Sequence, residues 1–110
     1  KDKRRPWDLG KDFEQSAVIS PITEAKDFTV GTQKIEMSVN GTVKQVATLE
    51  ELIWSIPEII NHLSGYYHLE PGDLIYTGTP SGVGAVVAGD HIHGTIDGLT
   101  AIDLTLGAAE

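Results

Sequence analysis

Lys11 is the first residue whose position suggests chemistry. It lies in the segment PWDLGKDF, residues 6–13. If this segment is extended, alternate side chains point the same way, and Lys11 shares a face with apolar neighbours. These neighbours are Trp7, Leu9 and Phe13. Such a lysine either extends its amine past the apolar surface into water or meets a bound carboxylate or enolate oxygen there. The residues alone leave both readings open.

The glycine-rich segment TGTPSGVG, residues 77–84, is the second candidate. Glycine-rich loops after a strand can surround an anion with backbone N–H groups. No Lys-Ser or Lys-Thr pair follows, and the third glycine of a dinucleotide fingerprint is absent, so the segment does not predict nucleotide binding. It is either a plain turn or a ligand loop. In a ligand loop, Thr79 between Gly78 and Pro80 is best placed to offer a hydroxyl and an N–H.

His91 and His93 are two residues apart in a predicted strand and face the same side, a spacing that can suit a metal. The sequence shows no third ligand at a matching position, which favours exposed histidines. Asp73 and Asp90 each follow a glycine at the start of a turn, where an aspartate caps its own backbone. No Ser-His-Asp set and no pair of acid-base carboxylates can be named.

The elements that position these residues begin with a hairpin. Ile35, Met37 and Val39 alternate with polar residues, and Asn40-Gly41 predicts a type I′ turn. Val43 and Val46 continue the pattern on the far side of the turn.

A helix from about 50 to 64 is predicted next. Thr48 and Glu51 have the spacing of a capping box, and Gly65 is the expected stop. Apolar residues recur at intervals of three and four: Leu49, Leu52, Ile53, Ile56, Ile59, Ile60 and Leu63. Pro57 lies inside this range, so two shorter helical pieces are the alternative.

Short strands and glycine turns occupy the chain from residue 68 onward. The pairs Gly72-Asp73 and Gly89-Asp90 lead into predicted strands at 74–77 and 91–96, and Asp97-Gly98 leads into a last strand at 101–106. The predicted class is α+β with β predominating and one main helix packed on the sheet.

Composition narrows the function classes. The chain has 110 residues, with 8 basic against 16 acidic side chains and a net charge of −8, which disfavours a nucleic-acid partner. It has no cysteine, so disulfides and thiolate zinc sites are excluded. No apolar run approaches the roughly 20 residues of a membrane span. A cytoplasmic protein without a membrane or nucleic-acid partner is expected. The start, KDKRR without an initiator methionine, suggests a piece of a longer chain.

Three blocks carry a resemblance to a known family. They are PWDLGKDFEQSAVISPI, VNGTVKQ and LIWSIPEIINHLSGYYHLEPGDLIYTGTPSGVGAVVAGD. In this order they resemble the C-terminal half of the fumarylacetoacetate hydrolase family over nearly the whole chain, and the LEPGDLIYTGTPSGVG block is quite specific to that family. Within the family, RRPWDLGKDFEQSA and IWSIPEIINHLSGYYHLEPGD are most similar to members that hydrolyse fumarylpyruvate.

The resemblance implies a mixed β-sandwich roll and a homodimer. It implies hydrolysis of a carbon–carbon bond in a diketo acid, here fumarylpyruvate to fumarate and pyruvate in aromatic catabolism, with Mg²⁺ or Mn²⁺ as cofactor. Lys11 matches the family lysine beside the metal and substrate oxygens, a catalytic and substrate-binding role. Gly78 and Thr79 match the loop that holds the substrate.

Departures from the family pattern limit these expectations. The family's carboxylate metal ligands and its His–Glu dyad lie upstream of Lys1, so no metal ligand is expected in this chain. The 110 residues alone are expected to be inactive. Gln15 stands where some relatives carry a threonine. The alternatives are an oxaloacetate decarboxylase or a hydroxymuconate-type isomerase on the same fold, or a non-catalytic binding or dimerisation module.

Overall fold

The computed structural model describes residues 8–109. Its centre is an antiparallel sheet of four strands in the order β2-β1-β3-β4. In chain order the elements are α1 (Asp8–Lys11), a 3-10 turn (Ala25–Asp27), β1 (Lys34–Val39), β2 (Thr42–Thr48), a second 3-10 turn (Leu49–Glu51), α2 (Ile56–Ser64), β3 (His91–Ile96) and β4 (Ile102–Thr105). The predicted α+β class, with β predominating and one main helix, is confirmed. No described helix is long and apolar enough to cross a bilayer.

The predicted hairpin is formed by β1 and β2. Asn40 and Gly41 have φ angles of 49° and 80°, as a type I′ turn requires. Past the turn, Ser38 pairs with Val43 and Met37 with Gln45, so Lys44 is an extra residue in β2. This β-bulge bends the strand and changes the direction of the side chains beyond it.

The tip of the hairpin is tied to the start of β3. The Asn40 side-chain amide donates to Asp90 Oδ1 at 2.8 Å, and the His91 N–H donates to Asn40 Oδ1 at 2.9 Å. The Asn40 backbone N–H donates to the His91 carbonyl at 2.8 Å. Asn40 therefore joins two turns that are 50 residues apart.

The helix is shorter than predicted, and the continuous range 50–64 is wrong. The Thr48–Glu51 capping box is present, but it closes only the 3-10 turn. A second box begins α2, in which the Glu58 carboxylate accepts from the Ser55 N–H at 2.8 Å. Pro57 lacks an N–H and is tolerated only in the first turn of a helix, so a new helix must begin just before it. The alternative of two pieces is confirmed, and α2 ends before Gly65 as predicted.

Among the described elements, α2 makes no extensive packing contact with the sheet. The extensive contacts between described elements are those between neighbouring strands. No apolar side chain among residues 10–109 is fully buried, and Ile53 and Ile60 are 95% and 45% exposed. The other members of the apolar stripe that predicted the helix are half-buried: Leu49, Leu52, Ile56, Ile59 and Leu63.

The predicted strand at 74–77 is also absent from the described structure. Residues 74–77 pair with no other described strand, and Leu74 and Tyr76 remain 53% and 59% exposed. A strand needs a neighbour for its backbone N–H and C=O groups. The strands at 91–96 and 101–106 are confirmed, the second with the shorter range of β4.

Candidate functional site

The loop at 77–82 lies against the bulge of β2. Gly78 and Gly82 have φ angles of 102° and 104°, a region that favours glycine. A Cβ at Gly82 would lie 2.0 Å from the Lys44 carbonyl oxygen, so no other residue fits there without moving the backbone. The glycines noted in the sequence therefore serve both a turn and a close approach between two backbones.

Gln45 attaches the same loop to the sheet. Its side-chain Nε2 donates to Thr79 Oγ1 and to the Pro80 carbonyl, both at 2.8 Å. Gln45 is 9% exposed and is the one buried residue among those whose burial the structure describes. In contrast, Thr79 itself is exposed. A buried amide thus holds a threonine whose other side faces solvent.

Gln45 was missed by the sequence analysis. It lies opposite Met37 only because of the bulge, since a regular hairpin with the same turn would place Lys44 there. The sequence pattern therefore offered no signal that singled out Gln45. Its partner Thr79 is 34 residues away in the chain and could not be named from spacing.

Lys11 does not lie in an extended segment. Residues 8–11 form the short helix α1, so the alternation that placed Lys11 on an apolar face is wrong. Lys11 is exposed, and Phe13 is 65% exposed. Trp7, which the prediction placed on the same face, lies outside the described residues. The catalytic role of Lys11 therefore stays a prediction that depends on the family pattern.

His91 and His93 share a carboxylate that spacing alone did not reveal. His93 Nδ1 lies 2.8 Å and His91 Nε2 lies 3.1 Å from Asp103 Oδ1. Asp103 lies on β4 opposite His93. The hydrogen bond from His93 lowers the pKa of Asp103 from its ordinary value. Among the described residues no group of three or more His, Asp or Glu side chains could hold a metal ion.

Asp73 and Asp90 cap their turns as predicted. Asp73 Oδ2 accepts from the Glu70 N–H at 2.8 Å, and Asp90 Oδ2 accepts from the Val87 N–H at 2.9 Å. The Val87 N–H, and after it the Asn40 side chain, lowers the pKa of Asp90. Both aspartates therefore have a structural role in the described part of the chain.

A sequence model of the fumarylacetoacetate (FAA) hydrolase C-terminal domain matches residues 1–106. The chain belongs to the fumarylacetoacetate hydrolase family. A fumarylpyruvate hydrolase from a Ralstonia species is 54% identical over 110 residues, which are 100% of this chain and 57% of that protein. The mitochondrial oxaloacetate tautomerase of Rattus norvegicus is 40% identical over 103 residues, or 93% of this chain and 47% of the relative.

Solved structures place the described fold in the same family. The crystal structure of fumarylpyruvate hydrolase from Pseudomonas aeruginosa, in complex with Mn²⁺ and pyruvate, superimposes with a TM-score of 0.87 at 38% identity. The match covers 98% of this chain and 47% of that one. The chain thus spans about half the length of the fumarylacetoacetate hydrolase relatives that it matches.

Proposed function

We propose that the complete enzyme, meaning the protein whose chain contains these 110 residues, hydrolyses fumarylpyruvate to fumarate and pyruvate. The reaction breaks a carbon–carbon bond of a diketo acid and adds water across it. The observation that carries the proposal is 54% identity to a fumarylpyruvate hydrolase along the whole chain. The fixed Thr79 loop supports it, because small polar ligands need a few polar groups at defined positions.

Thr79 is the proposed substrate-binding residue of this half of the enzyme. Its side chain is exposed, yet its oxygen is held by the buried amide of Gln45. A hydroxyl fixed in this way can meet a carboxylate or keto oxygen with little loss of conformational entropy. Gly78, with a φ of 102°, gives the loop a turn just before Thr79 that residues with a side chain rarely adopt.

Lys11 is the proposed catalytic residue. Cleavage of the carbon–carbon bond leaves negative charge on the departing pyruvate as an enolate, and an ammonium group near that oxygen stabilises the charge. Lys11 is the last residue of α1 and its side chain is exposed, so it is accessible to a ligand.

The metal belongs to the proposal for the complete enzyme. A family structure contains Mn²⁺ with pyruvate, whereas the described residues of this chain offer no ligand set. We therefore expect the ligands for Mn²⁺ or Mg²⁺ outside the described residues. Such an ion supplies electrostatic stabilisation of oxyanions.

The exposed apolar surface supports a larger catalytic domain. No apolar side chain is fully buried among residues 10–109, whereas large exposed apolar patches usually mark surfaces that are covered by protein. We propose that residues 1–110 are the C-terminal portion of one domain and that the other portion covers α2 and residues 74–77. A cytoplasmic homodimer is part of this proposal, as is inactivity of residues 1–110 alone.

The first test is turnover by the complete enzyme. Purified protein with Mn²⁺ or Mg²⁺ should consume fumarylpyruvate, measured as loss of the enol absorbance. Lys11→Ala should lower kcat by about 100-fold, the effect of removing one group that stabilises an oxyanion. Thr79→Val should lower kcat/KM by about 100-fold mainly through KM, as for a lost substrate contact. Full activity of Lys11→Ala would end the catalytic assignment, and no turnover by the parent protein would end the proposed function.

Matched controls test whether the loss of activity is specific to Lys11 and Thr79 or follows from removing any exposed lysine or threonine. Lys26 is another exposed lysine, which pairs with Glu24 at 2.7 Å. Thr100 is another exposed threonine, in the turn before β4. Lys26→Ala and Thr100→Val should keep kcat/KM within about twofold of the parent value, as is usual for surface substitutions.

A reaction of oxaloacetate is the second candidate, because an oxaloacetate tautomerase is 40% identical over 93% of the chain. Oxaloacetate is also a small oxo acid, so the Thr79 hydroxyl would suit it equally. Measuring kcat/KM for fumarylpyruvate and oxaloacetate with one enzyme preparation decides between them. A preference for oxaloacetate would replace the first proposal.

A further inference from the structure

The side-chain amide of Gln45 has a defined orientation. The Pro80 carbonyl can only accept a hydrogen bond, so the Gln45 atom that faces it at 2.8 Å is the NH₂ group. The same nitrogen lies 2.8 Å from Thr79 Oγ1. Both amide hydrogens are therefore used within the loop, one on each acceptor.

This orientation determines what Thr79 can do. A threonine hydroxyl has one hydrogen to donate and two lone pairs to accept with. Since Gln45 donates to Oγ1, the hydroxyl hydrogen of Thr79 points away from Gln45. Thr79 is exposed, so an acceptor oxygen of a ligand can approach its hydroxyl group. The loop thus presents a donor, and the group it suits is an oxygen that accepts, such as a carboxylate or keto oxygen.

The bulge in β2 provides the rigid support for this arrangement. The extra residue Lys44 shifts the register between Met37 and Ser38 and brings Gln45 opposite Met37. The Lys44 carbonyl meets the backbone of Gly82 so closely that a Cβ there would be at 2.0 Å. The loop is therefore held twice, by a side chain at Thr79 and Pro80 and by backbone contact at Gly82.

We propose that Gln45 is a positioning residue that makes Thr79 a hydrogen-bond donor to an acceptor oxygen of the oxo-acid substrate. This inference rests on the proposed function, because it assumes that Thr79 meets the substrate. Gln45 itself is buried and does not need to touch the ligand.

Two substitutions of similar size at Gln45 separate its two proposed roles. One role is to hold the Thr79 hydroxyl in place, and the other is to fix the direction of the hydroxyl hydrogen. Gln45→Met removes both donors, so the Thr79 hydroxyl keeps its hydrogen but loses its fixed position. Gln45→Glu places an acceptor beside Thr79, so the hydroxyl donates to the new carboxylate and turns its lone pairs to the substrate. In the complete enzyme we expect KM for fumarylpyruvate to rise about 10-fold in Gln45→Met and about 100-fold in Gln45→Glu. We expect kcat to change by less than about threefold, because the lost hydrogen bond stabilises the bound substrate and the transition state equally.

A double-mutant cycle tests whether Gln45 acts through Thr79. In a Thr79→Val background the hydroxyl is already absent, so adding Gln45→Met should raise KM by less than about twofold. A merely structural role of Gln45 would instead give losses that multiply. Thr79→Ser keeps the hydroxyl and should restore the response to Gln45→Met.

Gln33→Met is the matched control. The Gln33 amide also holds a loop, accepting from the Gly31 N–H and donating to the Thr29 carbonyl, both at 2.7 Å. It belongs to a different loop, so Gln33→Met should leave KM within about twofold of the parent value.

Hydrogen exchange tests the attachment without any substrate. The side-chain NH₂ hydrogens of Gln45 donate to Thr79 Oγ1 and to the Pro80 carbonyl, so they should exchange at least about 10-fold faster in Thr79→Val, which removes one acceptor, than in the parent protein. If exchange rises but no fumarylpyruvate is turned over, the proposed function fails while the attachment stands. Unchanged exchange, parent-like KM in Gln45→Glu, or multiplicative losses in the cycle would each overturn the inference. If Gln45→Met does not fold, Gln45→Glu carries the KM measurement.

Discussion

The chain builds the same turn twice, at residues 70–73 and 87–90, with different results. In each, an aspartate carboxylate accepts from the N–H three residues earlier, at 2.8 Å for Asp73 and 2.9 Å for Asp90. In each, the aspartate N–H donates back to the carbonyl of that residue at 3.1 Å. The preceding glycines, Gly72 and Gly89, have φ angles of 98° and 91°. The two turns therefore have nearly the same backbone conformation and the same internal hydrogen bonds.

The segments that leave the two turns differ in their pairing. After Asp90 the chain enters β3, which pairs with β1 on one side and β4 on the other. After Asp73 the chain runs through 74–77 without pairing to any described strand, and reaches the sheet through the contacts of Thr79, Pro80 and Gly82 with β2. A turn closes with its own residues, whereas a strand requires neighbours. Among the described residues, 74–77 therefore lack the neighbouring strands that β3 has.

The largest expected effect comes from breaking the backbone contact of the segment after Asp73. Gly82→Ala should lower the free energy of unfolding of the complete enzyme by about 2–5 kcal/mol, from the positive φ together with overpacking against Lys44. Gly78 also has a positive φ, but nothing lies within 4 Å of its Cβ position. Gly78→Ala should therefore lose only about 1–2 kcal/mol. Urea unfolding of both variants measures the difference, and equal losses would contradict the contact.

A smaller effect separates the two aspartates. Asp90→Ala loses hydrogen bonds from Val87 and Asn40, whereas Asp73→Ala loses one from Glu70. We expect Tm to fall roughly twice as far for Asp90→Ala, since it loses roughly twice as many bonds. Asn40→Ala loses the bond to Asp90, the bond from the His91 N–H and a residue suited to its φ of 49°, so its Tm should fall at least as far as that of Asp90→Ala. If Asp73→Ala proves the more damaging, the tie between the hairpin and the second turn is unimportant.

The smallest effect is a pH dependence at the second turn. Hydrogen bonds from Val87 and then Asn40 lower the pKa of Asp90 below its ordinary 3.8. Because the unfolded chain then binds the proton more readily, this carboxylate contributes stability above pH 3.8 that is lost as pH falls through the lower folded pKa. Asp90→Asn should therefore flatten the fall of Tm between about pH 4 and pH 2, and Tm scans over that range measure it. If Tm falls as steeply with pH in Asp90→Asn as in the parent protein, other carboxylates account for the loss of stability in acid.

Several elements could be predicted because their causes are close in the chain. Asn40-Gly41 specifies a type I′ turn through its own backbone preferences, and the Gly-Asp pairs close turns over three residues. The break before Pro57 was available in the same way, because Ser55 and Glu58 have capping-box spacing. The longer run of apolar residues concealed it.

The candidate site was only partly predictable for the opposite reason. Thr79 could be selected from its glycine-rich surroundings, but its partner Gln45 is 34 residues away. Likewise Asp103 joins His91 and His93 only through the pairing of β3 with β4. The extended geometry assumed around Lys11 was wrong because residues 8–11 form a helical turn.

The amino-acid sequence by itself determined the turns, the caps, the hairpin and the membership of a family, because each depends on residue types at short, fixed spacing. Only the tertiary structure decided that Gln45 reaches Thr79, that Gly82 rests on Lys44, and that one Gly-Asp turn leads into a paired strand while the other does not. The physical reason is that hydrogen bonds between distant residues depend on sheet register and on which partners are present. A short sequence pattern specifies neither the register of the sheet nor the partners that a residue will meet.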